Sequence, residues 1–148
     1  MKKESLQTLE LMAFATIGFN FLTVVLHSVA HEVLNVKASP AQLAFIIPVI
    51  IIAPVAVGFM LPKYKKAGAL LLMLSMLGSF LFSLYYHFIA NTIDHVGHVA
   101  NMVPAFWAAT FNVTAYLLLL VEIAGTIIGF LLVKQSPSFN NYAARTSI

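Results

Sequence analysis

At 148 residues the chain has about one domain's worth of length. Sixty-one per cent of it is hydrophobic, 9% is charged and its mean hydropathy is +0.94, against roughly 25% charged residues in soluble domains. Too little charge exists to cover a soluble surface, so the composition predicts an all-α integral membrane protein. The absence of cysteine excludes disulfides, thiolate metal sites, CxxC redox chemistry and iron–sulfur clusters.

The first apolar stretch runs from Leu11 to His31, the second from Leu43 to Leu61 and the third from Ala67 to Ile93. The fourth, from Val96 to Val133, is interrupted only by Glu122, and Pro104 with Trp107 places the start of its span near Trp107. Each is long enough for a span of about 17–25 residues, and none alternates as a strand would. Four transmembrane helices are expected at 11–33, 42–61, 67–90 and 107–133. The connections around Pro40 and residues 61–66 are short, which makes neighbouring helices antiparallel and predicts an up-down four-helix bundle. Residues 1–134 then form one membrane domain. The longest connection, about 90–105, has room for a short interfacial helix, and 135–148 is a polar tail that is flexible if free.

Lys2, Lys3, Lys63, Lys65, Lys66, Lys134 and Arg145 fall on one side of these spans and Lys37 alone on the other. Seven against one predicts cytoplasmic N- and C-termini in a multi-pass protein, as in the plasma membrane of a prokaryote. The net charge of +3 is thus an orientation signal and does not imply nucleic-acid binding. Trp107 and the Tyr85–Tyr86 pair fit an outer aromatic belt. Lys2–Lys3, the first apolar run and Ser28-Val29-Ala30 imitate a signal peptide. The run is long for one and its leading segment carries Glu4 and Glu10, so retention as a span is expected.

Polar residues are costly where they face lipid, so they mark the interior of such a protein. Thr16, Asn20, Thr23, His27 and His31 fall on one face of the first helix. Ser75, Ser79, Ser83 and His87 do the same on the third. Asn112, Tyr116, Glu122 and Thr126 are expected near one face of the fourth, beside Gly125 and Gly129. For the Ser and Gly positions, close backbone approach and interhelical hydrogen bonding are sufficient explanation. The second helix has no polar stripe, only Pro48 and Pro54, which are expected to kink it.

All five histidines lie toward the outer face: His27, His31, His87, His95 and His98. Counting ~1.5 Å per residue, His27 sits about 8 Å above the midplane and His87 about 13 Å, so their heights match. Imidazole is a borderline ligand for copper, zinc and iron, and a nearby carboxylate lowers site charge or orients a histidine. An i, i+4 pair on one helix facing a ligand on another is a standard way to build a metal site between helices. His27, His31 and His87 are therefore the leading metal-ligand candidates, with Asp94, His95 and His98 next. Glu32 points away from the His31 face. Glu122, about 8–10 Å deeper than His27 at ~1.5 Å per residue, suits a proton relay better than ligation of the same ion.

These residues predict a small membrane protein with an extracytoplasmic histidine/carboxylate site for copper or zinc, with iron also within the ligand chemistry. With little chain outside the spans, an accessory or metal-holding subunit of a larger membrane complex is expected over a stand-alone enzyme. Its partners would then be the lipid bilayer and other membrane subunits or further copies of itself. Alternatives are a haem b electron-transfer subunit ligated by His27 and His87, a membrane metalloenzyme, a proton or ion transporter using Glu122, a pH sensor and a purely structural subunit. No phosphate loop, GxGxxG, HExxH or serine elbow is present. The adjacent His-His pairs of membrane desaturases are missing as well.

Overall fold

A computed structural model describes residues 2–136. Arg145 and nearly all of the polar tail lie outside that range. The described residues form α1 (Lys2–Val33), α2 (Pro40–Met60), α3 (Lys65–Ile89), a one-turn α4 (Val96–Val99) and α5 (Ala105–Gln135). No strand occurs among them. Helices α1, α2, α3 and α5 are long and apolar enough to cross a membrane, and they overlie the four expected spans with ends shifted by a few residues. The α1 start moves furthest, because the charged leading segment continues the same helix.

Contacts between named residues give the helix directions. Gly129 of α5 lies against Met73 of α3, and Gly125 against Met76 of α3 and Thr16 of α1. Further along, His27 meets Thr114, and at the opposite end Ser5 donates to Gln135. Helix α5 therefore runs antiparallel to both α1 and α3 and packs along each of them. Helix α2 packs on α3, with Phe45 stacked on Phe82 at a ring-centroid distance of 5.1 Å, and touches α1 mainly through its 53–60 half. An ion pair between Glu10 and Lys65 joins the beginnings of α1 and α3.

The helix surfaces are far more apolar than those of a soluble protein. Leu11, Phe59 and Leu120 are 66–79% exposed, while Asn20, Ser79 and Glu122 are buried to within 1%. Apolar side chains outside and polar ones inside suit a hydrocarbon solvent. One stripe is corrected. Tyr116 is 55% exposed and packs on Phe88, because six residues along a helix with 3.6 per turn rotate it about 120° away from Glu122. The interior face of α5 instead carries Phe111, Thr114, Leu118, Glu122, Gly125 and Gly129.

The prolines of α2 do more than bend it. Residues 46–52 form a π-helical segment, and the Ala53 N–H bonds to the Pro48 carbonyl five residues back. Pro48 and Pro54 each lack an N–H, and a proline ring clashes with the carbonyl four residues before it. The wider π turn relieves both defects.

The GxxxG pair on α5 serves contact within the chain. A Cβ at Gly129 would stand 2.7 Å from the Met73 backbone nitrogen, so α3 and α5 meet nearly backbone to backbone. Gly129→Ala is expected to destabilise the protein by about 1–3 kcal/mol through overpacking. Gly18→Ala, where nothing lies within 4 Å of the added methyl, should be neutral or mildly stabilising. Thermal melting of the purified variants checks both.

Candidate metal centre

The end of α1 sets the first part of the site. Asn35 adopts a left-handed φ of 55°, a conformation that asparagine tolerates better than most residues. The Val36 N–H then reaches back to the His31 carbonyl and the Asn35 N–H to the Glu32 carbonyl, which is a Schellman cap. The same reversal brings the Val36 carbonyl to the His31 ring, where it accepts from Nδ1 at 2.7 Å.

The other two histidines are held in a similar way. Helix α3 ends in a π turn over Tyr85–Ile89, and within it His87 Nδ1 donates to the Asp94 main-chain carbonyl at 3.1 Å. His27 Nδ1 lies 2.8 Å from Thr114 Oγ1. The single Thr114 hydroxyl proton is engaged by the carbonyls of Thr110 and Phe111, so toward His27 the hydroxyl oxygen accepts. Each Nδ1 thus donates, and in each ring Nε2 keeps its lone pair. Securing the far ring nitrogen in this way is how metal-ligating histidines are oriented.

The three rings converge. One ring nitrogen from each of His27, His31 and His87 lies within 4.8 Å of the other two. The His27 ring centroid is 4.8 Å from each of the others, in edge-on contact. His27 Nε2 is buried with no hydrogen-bond partner. A trigonal face of a tetrahedral site with ~2.0–2.1 Å metal–nitrogen bonds needs nitrogens about 3.3 Å apart, so a bound ion would draw the three rings closer together. These three buried or half-buried imidazoles can hold a transition-metal ion.

Phe111 backs the triad, its ring 4.5 Å from His27, 4.8 Å from His31 and 5.5 Å from His87. Beyond it Ala30, Leu34, Val36, Val99 and Ala108 form an apolar plug, packed in part by Trp107. The other side of the triad faces a cavity of about 410 Å³ between α1, α2 and α3. Gln42, Asp94, Ser83 and Glu122 line it together with the three histidines.

Asp94 is buried beside the triad without being gathered into it. Its Oδ2 accepts from Gln42 Nε2 at 2.8 Å, and its Oδ1 is buried without a partner. Gln42 cannot easily turn, because its Oε1 takes the Ser39 N–H in the capping box that starts α2. His95 and His98 stand apart from the triad. His95 N-caps α4, its Nδ1 accepting from the Gly97 N–H, and exposed His98 bonds the Thr92 carbonyl through Nδ1. Their rings are 5.6 Å apart. Glu32 is exposed at the cavity rim, and Glu122 lies at the far end of the cavity, its Oε1 accepting from Ser83.

Thr114, Phe111 and Gln42 escape a reading that looks for ligands. Counting back from Glu122 by threes and fours does reach Thr114 and Phe111 on the same face of α5. Gln42 had a signal in the Ser39-x-x-Gln42 capping box before an apolar run. Comparison with family models, curated proteins and solved structures gives no match, so function is read from these side chains.

Proposed function

We propose that the chain is a multi-pass membrane protein that holds one copper or zinc ion on His27, His31 and His87 at its extracytoplasmic face. In this reading it is an accessory, metal-holding subunit of a larger membrane complex. The observation that carries it is the triad: three imidazoles on two helices, each oriented through Nδ1, with a buried Nε2 of His27 that no described residue satisfies. An unmet buried lone pair is costly, and one cation offers a partner to three of them at once. The cation count of the connections supports the outward orientation.

Three protein ligands beside an open cavity are the pattern of a site that exchanges or uses its fourth position, whereas structural zinc sites are closed by four ligands. Asp94 Oδ1 is the natural acceptor for a water bound there. Haem between His27 and His87 is less well supported. A macrocycle needs two opposed rings with a flat gap between them, whereas these rings meet edge-on, with His31 and Phe111 packed against the same pair.

Titration of metal-free protein with Co²⁺ tests the reading. The expected result is a visible d–d band of a tetrahedral or five-coordinate nitrogen/oxygen site that saturates at one equivalent. A Soret band in the protein as purified, or no cobalt spectrum at any ratio, would overturn it.

A further inference from the structure

A second group of unmet polar atoms lies deeper in the protein. Asn20 Oδ1, Ser79 Oγ and Glu122 Oε2 are all buried without a hydrogen-bond partner, in residues at most 1% exposed. They come from α1, α3 and α5. The packing of Gly125 on Met76 and Thr16 fixes one level across these helices. One turn from it toward the histidines brings Asn20, Ser79 and Glu122 to a common height. Counting ~1.5 Å per residue along α1 from Asn20 puts that height about 10 Å below His27.

Two of the three atoms, the amide and carboxylate oxygens, are acceptors only, and the third is a hydroxyl that can also accept. Ser83 already supplies its proton to the other carboxylate oxygen, at 3.2 Å. No lysine or arginine occurs in the described spans between Glu10 and Lys134 apart from those at the α2–α3 connection and Lys37. Among the described residues, Glu122 therefore has no side-chain cation within its span. Helix α2 carries no titratable side chain, and apart from Tyr85 and Tyr86 the nearest titratable groups on α1 and α3 are His27 and His87, at the other end of the cavity that Glu122 lines. An all-oxygen donor set containing one carboxylate suits a hard cation and is wrong for the ion that imidazoles select.

We propose that Asn20, Ser79 and Glu122 form a second, oxygen-lined site for a small monovalent cation, Na⁺ or a proton, which Glu122 connects to the cavity below the histidines. The site is independent of whether the triad binds metal. Intramembrane carboxylates facing an interior cavity commonly mark such cation positions.

The test uses the full chain in lipid nanodiscs at fixed pH and ionic strength, with Na⁺ exchanged for choline. Na⁺ occupancy predicts a saturable rise in Tm with Na⁺ that Glu122→Gln abolishes and Ser79→Ala weakens at least tenfold in apparent Kd. Proton occupancy predicts no Na⁺ response. It predicts instead a carboxyl infrared band, absent from Glu122→Gln, that disappears and returns reversibly as pH is cycled. Cobalt binding at the triad should survive both variants, which separates this site from the upper one. The proposal is overturned if neither Na⁺ nor pH alters the Glu122 carboxyl signal, since the group is then a fixed hydrogen-bonding strut. Should Glu122→Gln fail to fold, the same infrared titration of wild type and Ser79→Ala decides the matter.

Discussion

The double variant His27→Ala/His31→Ala is expected to lose the one-equivalent cobalt spectrum altogether. Two of three imidazoles go, and His87 alone, even with water or Asp94, cannot hold a divalent first-row ion against solvent at micromolar protein. The single His27→Ala variant should already bind at least a hundredfold more weakly. It also leaves the Thr114 hydroxyl oxygen without its donor and opens a space beside Phe111. Metal-free wild type is the reference that separates lost binding from lost folding. If its Tm matches that of the double variant while only wild type responds to cobalt, the loss belongs to ligation. Ser79→Ala, well below the triad, should bind cobalt as wild type does.

The second large effect is expected at Asp94. Its carboxylate joins the connection after α3 to the beginning of α2 through Gln42, and its carbonyl orients His87. Asp94→Ala leaves the buried Gln42 amide without an acceptor, at a cost of about 1–3 kcal/mol. It also removes a carboxylate that lines the cavity beside the triad. Asp94→Asn keeps a similar shape and the main-chain carbonyl. It should lose less stability but still lower metal affinity, on the order of 10–100-fold as expected for partners outside the ligand sphere. Paired melting curves and cobalt titrations distinguish the two effects. If Asp94→Asn binds as tightly as wild type, Asp94 is a brace for the fold and no part of the metal's surroundings.

Much of this arrangement is legible in the sequence because polar residues are few and regularly spaced in apolar helices. In a hydrocarbon surround any polar residue at helical spacing must turn inward, so the stripes on α1 and α3 predict the burial of Asn20, Thr23, His27, Ser79, Ser83 and His87 directly. Matching heights along straight helices then suffice to bring His27, His31 and His87 together. The α5 stripe is less legible. Asn112, Tyr116, Glu122 and Thr126 can be drawn near a common line only if a large angular error is accepted, and the small or aromatic residues that define its buried face carry no polar signal.

Local backbone chemistry accounts for what remains hidden. The Asn35 cap that hands the Val36 carbonyl to His31, the π turn around His87 and the π segment between Pro48 and Pro54 depend on hydrogen-bond shifts that spacing does not encode. His95 and His98 illustrate the converse. Their HxxH pattern resembles a ligand pair, yet one ring caps a helical turn and the other ties down its connection, roles that a histidine at a loop–helix boundary fills through its Nδ1.

X-ray absorption on the purified, membrane-extracted protein, combined with elemental analysis, tests the central claim most directly. One copper or zinc per chain is predicted, with nitrogen or oxygen neighbours at about 2.0–2.1 Å and the outer-shell scattering of imidazole rings. Both should be absent from the His27→Ala/His31→Ala variant. Equal metal content in wild type and that variant, or neighbours without imidazole scattering, would contradict it.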